Sequence, residues 1–204
     1  RFDRRWTKDG RLIRLPQEDC CQALSVPPDR KYQSQGGPGL VDLLKLLAGS
    51  DAPQDNRETV FKAAVLFWLI GATDGHAKNF SLFLNPGGGY RLTPLYDVLT
   101  AQPSLDARQI ERKHMRLAMS VGRSNHTRFE TVFGRHFVET ALAGGLAKAQ
   151  ALSAIDTLCE TLPAVLDTVS VSLPAGFPDA IVTSVRQAAL SRRDTLTRTL
   201  EAKA

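Results

Sequence analysis

Thr73-Asp74-Gly75-His76-Ala77-Lys78-Asn79 is a short polar run set between two strongly apolar segments, and its reading decides the fold. Ahead of it, Thr59 to Ile70 carries Val60, Phe61, Ala64, Val65, Phe67, Trp68, Leu69 and Ile70. Those positions predict a helix buried on most of its surface, with Gly71 placed to end it. Behind it, Phe80, Leu82 and Leu84 are spaced as a strand, and Asn85-Pro86-Gly87-Gly88-Gly89 is strong turn chemistry. Tyr90-Arg91-Leu92 then reads as the returning strand of a hairpin. Such a hairpin swings Tyr96-Asp97 back toward Asp74, so one acid precedes it and one follows it.

An Asp, an Asn and a second Asp facing one cavity suit the transfer of a phosphoryl group. That reaction needs a carboxylate to orient the attacking hydroxyl and take its proton, and oxygen ligands to hold Mg²⁺ against phosphates. Catalytic loops of this kind space their Asp and Asn as Asp74 and Asn79 are spaced here. The motif alone is weak evidence, because Asp, Asn and Gly are common in loops for reasons of capping and positive φ. Its weight comes from the combination with the buried helix and the hairpin-returned Asp97. His76 has no second His nearby, which is poor support for zinc, and it reads as a phosphate contact.

The run from Trp68 through Asp74 and Asn79 to Ser81, followed by Tyr90-Arg-Leu-Thr-Pro-Leu-Tyr96-Asp97, resembles the HipA family of bacterial serine/threonine kinase toxins. Arg1-Phe2-Asp3-Arg4, Arg14 to Cys20, Lys31-Tyr32 and Gly36-Gly-Pro-Gly39 match the same pattern, so the likeness covers nearly the whole chain. The resemblance implies a protein-kinase-like C-terminal lobe, mainly α with a small β-hairpin, spanning residues 1–204 as one domain. It implies Asp74 as catalytic base and Asn79 and Asp97 as Mg²⁺ ligands. His76, Ala77, Lys78, Asn79, Tyr96 and Asp97 would lie along bound ATP, and Arg1 and Phe2 would end the hinge segment that meets the adenine. The family's phosphate loop and nucleotide-pairing Lys precede that hinge. The expectation is therefore half of an ATP site, nearly inactive by itself. The implied partners are a Ser/Thr protein substrate of the aminoacyl-tRNA synthetase class, a small antitoxin and, with it, operator DNA.

Composition fits this expectation. The chain has 204 residues, 43% of them hydrophobic, enough to bury one core, and a formal net charge of +5. A positive balance suits a polyanionic nucleotide as well as a nucleic acid, and the Arg and Lys residues are scattered rather than gathered on one helix. No apolar run reaches transmembrane length, no signal-peptide pattern is visible, and three cysteines, two of them the adjacent Cys20-Cys21, form no disulfide framework. These traits point to a cytoplasmic protein.

The rest of the chain reads as helical packing. Pro16 predicts the first turn of a helix running toward Leu24, with Gln17, Glu18 and Asp19 near its N-terminus. Pro38 predicts the opening of a second, lined by Leu40, Leu43, Leu44 and Leu47. Gly36 to Gly39 lacks the Lys and hydroxyl of a P-loop and reads as a turn. Gln102 to Arg116 predicts a mobile or irregular segment of the substrate-facing or activation type. Phe129 to Val138, Leu152 to Leu162 and Pro178 onward predict three more helices, the first broken at Gly144-Gly145, and the charged tail Arg193 to Ala204 is amphipathic. Two other function classes remain open from the residues: a metal-dependent phosphoesterase or nuclease using Asp74, His76 and Asp97, and a non-catalytic surface for an antitoxin or DNA.

Overall fold

A computed structural model describes residues 1–201. Three short strands come first: β1 (Arg4–Trp6) pairs antiparallel with β2 (Leu12–Arg14), and β3 (Gln17–Asp19) runs on to the one-turn helix α1 (Cys20–Ala23). Helix α2 (Leu40–Leu46) and the long α3 (Pro53–Ile70) follow. Next come the hairpin β4 (Ser81–Leu84) and β5 (Tyr90–Leu92), helix α4 (Gln102–Asp106), and a second hairpin, β6 (Arg116–Val121) with β7 (His126–Arg128). Helices α5 (Gly134–Ala143), α6 (Lys148–Ser172) and α7 (Asp179–Glu201) complete the fold. It is a mainly helical α+β arrangement.

The predicted helix before Asp74 is present and starts earlier, at Pro53, which suits a first-turn position where no N–H is needed. Val60, Phe61, Val65 and Leu69 are completely buried in it and Trp68 almost so. Each large side chain removed from water in this way contributes about 1.5–3 kcal/mol. Helices α2, α5, α6 and α7 pack around α3, which makes it the axis of the lobe. Gly71 ends it in the left-handed conformation at φ 78°, as its sequence position predicts. The last carbonyls of α3 are all answered. Ala72 N–H donates to Phe67 O, Gly71 N–H to Trp68 O, Arg192 to Leu69 O and the Thr100 hydroxyl to Ile70 O. A helix end fully satisfied in this way is a fixed launching point for the loop that follows.

Two expectations are corrected. Gln17, Glu18 and Asp19 form a strand, not the first turn of a helix, because β3 pairs with the edge of β4 (Glu18 opposite Leu82), giving the sheet order β3-β4-β5. Asp19 then caps the single turn of α1 by accepting from the Gln22 N–H. The segment Gln102 to Arg116 is also more ordered than its polarity predicts. It opens with α4, where Gln102 is buried and donates to Asp106, and it ends at the start of β6. The second leucine-lined helix begins at Leu40 after Gly39 rather than at Pro38, and Gly37 is needed in the turn because a Cβ there would strike the Arg30 carbonyl. Helix α7 carries the predicted charged tail as far as Glu201, and residues 202–204 lie outside the described residues. Among the described residues no helix is long and apolar enough to cross a membrane.

Candidate active site

The loop leaving α3 holds Asp74 in solvent, its side chain more than half exposed, while the residues around it are pinned. Gly75 lies against the Phe67 ring, where a Cβ would collide. His76 N–H donates to the Asp74 carbonyl at 2.9 Å and to the Asn79 side-chain oxygen at 3.2 Å. A single 3-10 turn, Ala77–Asn79, then leads into β4. Asn79 is buried, and its amide donates to Asp97 Oδ2 at 2.8 Å across the hairpin. Asp97 adopts φ 55°, a left-handed conformation that Asp tolerates better than most side chains. The hairpin thus returns Asp97 to the loop, and the imidazole of His76 lies in the field of both Asp74 and Asp97.

Asn79 and Asp97 offer an amide oxygen and a carboxylate side by side, with Asp97 exposed. This all-oxygen pair fits Mg²⁺, which favours oxygen ligands and draws most of them from phosphate and water rather than from a protein cage. Among the described residues no three His, Cys, Asp or Glu side chains gather as a metal site.

His76 is 4% exposed, and its Nδ1 has no hydrogen-bond partner among the described residues. Burial pushes its pKa below the ordinary value, Asp74 pulls the other way and Lys31 adds to the depression. The ring is therefore neutral at pH 7 and offers one N–H as a donor. Lys78 turns from the loop to Asp19, with Nζ 2.7 Å from Oδ2, and this hydrogen bond raises its pKa. The Tyr96 hydroxyl shares a 2.6 Å contact with Ser81 Oγ and donates to the Lys78 carbonyl at 2.6 Å. Phe2 packs on Tyr96 and Phe83, at ring separations of 5.9 and 6.0 Å, so the first residues do reach the hairpin. The Arg1 side chain is exposed and pairs with Asp3.

Sequence reasoning assigned no role to Tyr32 or Asp19. Tyr32 donates its hydroxyl to Asp74 Oδ1 at 2.8 Å, its ring stands edge-on to His76 at 5.0 Å, and Lys31 sits over its face. That hydrogen bond, with burial, raises the Tyr32 pKa and keeps the phenol a donor. The partners are 42 residues apart, beyond what local spacing can signal.

Comparison with known proteins places this geometry. Residues 1–166 match the family model of the HipA-like C-terminal domain. A Sinorhizobium fredii protein named as a kinase, Y4mE, is 38% identical over 123 residues, which cover 59% of this chain and 29% of that protein. The serine/threonine-protein kinase toxin HipA of Shewanella oneidensis is 31% identical over 121 residues, covering 53% of this chain and 28% of the toxin. Among solved structures, HipA from the Shewanella oneidensis toxin–antitoxin complex with HipB and operator DNA superposes with a TM-score of 0.86 at 23% identity, over 99% of this chain and 49% of that one. The Helicobacter pylori proinflammatory kinase CtkA gives a TM-score of 0.51 at 14% identity over 93% of this chain and 73% of its own. Both structural likenesses establish fold. The chain matches less than a third of either sequence relative and about half of the HipA chain.

Proposed function

Because the chain belongs to the HipA-like C-terminal domain family, we propose that it is the base-and-metal half of an ATP-dependent serine/threonine kinase, the toxin of a bacterial toxin–antitoxin pair. The observation that carries this reading is the Asn79 to Asp97 hydrogen bond, which joins two oxygen ligands across the hairpin beside the exposed Asp74. Asp74 orients the Ser or Thr hydroxyl and accepts its proton as the oxygen bonds to the γ-phosphorus and the bond to the β-phosphate breaks. Asn79 and Asp97 hold Mg²⁺, which when bound neutralises charge on the phosphate oxygens. Neutral His76 donates a hydrogen bond toward phosphate, while Phe2 and Tyr96 make an apolar wall for the nucleotide base and Arg1 marks the hinge. The backbone of Ala77 and Lys78 borders the same site.

On this reading the phosphate loop and its Lys lie outside residues 1–204. A protein substrate, an aminoacyl-tRNA synthetase by family resemblance, a small antitoxin, and operator DNA through that antitoxin would be partners in the cytoplasm. The test is transfer of labelled phosphate from ATP to protein Ser or Thr by the full-length protein and by the 204-residue chain. The full-length protein should transfer phosphate only with Mg²⁺ and ATP, and the shorter chain should fold and stay nearly inactive, since stabilisation from the missing half is realised mainly in the transition state. Hydrolysis of a phosphodiester with metal and no nucleotide would instead establish the nuclease class.

A further inference from the structure

A groove of about 520 Å³ opens beside Asp74, and nothing in the chemistry above uses it. Its inner end is formed by Tyr32 and by Thr73, the residue before Asp74, and it runs outward past Asn125 and Thr127 to His114 and Arg116. The walls are fixed. Gln33 of the Tyr32 segment accepts the Ser120 N–H at 2.6 Å, tying that segment to β6. At the outer end Arg116 lies opposite Arg128 in the β6-β7 pair, and both are exposed. Beyond them, Arg112 and Lys113 are matched by Glu130 and Glu111. The groove therefore begins at the proposed base and ends on excess positive charge.

The inner end already holds a hydroxyl. Tyr32 places its O–H 2.8 Å from Asp74 Oδ1, within the reach that a general base needs for the proton it abstracts. A substrate hydroxyl must take that place. Building on the kinase reading, we infer that this groove receives the acceptor segment of the protein substrate. The Ser or Thr hydroxyl displaces Tyr32 from Asp74, and acidic residues beside it lie along Arg116 and Arg128. An acidic segment is the occupant that the rim selects, because complementary charge steers encounter and like charge is excluded.

The experiment uses the full-length protein and a short fluorescein-labelled peptide with one central Ser flanked by Asp and Glu, followed by anisotropy. The acidic peptide should bind roughly tenfold more tightly than its Lys-substituted counterpart. Arg116→Glu should remove that preference, and Arg198→Glu, a charge reversal on exposed α7, should leave it intact. Tyr32→Phe should strengthen binding of the Ser peptide and not of its Ala version, because only a hydroxyl competes for Asp74. Equal binding of the two charge types, equal loss in Arg198→Glu, or a Tyr32→Phe effect shared by the Ala peptide would overturn the inference. Charge-selective binding with no phosphate transfer from MgATP would leave the groove standing and sink the kinase reading. Transfer with no charge preference would do the reverse.

Discussion

Arg192 on α7 is the tie between the C-terminal helix and the loop that carries Asp74, and Arg192→Met should show what that tie is worth. Its guanidinium donates to Leu69 O at 3.0 Å, an α3 carbonyl that the helix itself cannot satisfy, and to the side-chain oxygen of buried Gln102 at the start of α4. It also lies 5.0 Å above the Phe129 ring. Leaving the two acceptors without a donor costs about 1–3 kcal/mol each, and losing the cation–π contact about 0.5–2 kcal/mol more. Against this, burial already disfavours the cation, pulling its pKa down to about 10, so the substitution relieves part of the desolvation cost. The expected net loss is about 2–4 kcal/mol. Urea denaturation read by fluorescence suits the site, since buried Trp68 donates to the Phe129 carbonyl at 3.1 Å. The midpoint should fall with no change in slope, and Arg192→Lys should recover part of it. A loss below about 1 kcal/mol would show that Leu69 and Gln102 find other partners and that α7 does not brace the loop.

Gly75→Ala should cost about 1–3 kcal/mol and reduce phosphate transfer, because the new methyl meets the Phe67 ring and must push Asp74 outward; unchanged melting and rate would contradict the geometry. Asp97→Asn should raise the Mg²⁺ concentration needed for half-maximal transfer, and calorimetry on the wild-type chain should find weak Mg²⁺ binding until nucleotide is added. Tight stoichiometric Mg²⁺ binding without nucleotide would count against the two-ligand assignment. His136 is buried, stacks on His126 at 3.8 Å and has its pKa lowered to about 4, first by burial and then by His126. The unfolded chain therefore binds the extra proton between about pH 6.5 and pH 4, and stability should fall as pH drops through that window. His136→Gln should flatten the dependence measured by urea midpoints at pH 7 and pH 5, and an unchanged slope would remove His136 as its source.

The parts of the fold legible in the sequence are those where one signal dominates. Val60 to Ile70 could only be a buried helix, Gly71 its left-handed end, and Asn85 to Gly89 a turn, so the approach of Asp97 to Asn79 followed from order alone. Gln17 to Asp19 misled because Pro16 and three polar residues imitate a helix start, while the competing signal, pairing with β4, comes from a strand more than sixty residues later in the chain. The three-residue strands β1, β2 and β7 are too short to show alternation. Gln102 to Arg116 looked irregular because its order comes from Arg192 and Ser184 on α7. Tyr32 was visible as a residue of the family pattern, yet its contact with Asp74 depends on how the Gln33 segment is tied to β6.

The central claim is that Asp74 takes the acceptor proton while other residues hold metal and nucleotide. Single-turnover transfer of labelled phosphate by the full-length protein tests it most directly, comparing wild type with Asp74→Asn while nucleotide affinity is measured in parallel. Asn keeps the shape and removes the proton acceptor, so the rate should fall on the order of a hundredfold or more with MgATP binding unchanged. Wild-type transfer by Asp74→Asn would contradict the account.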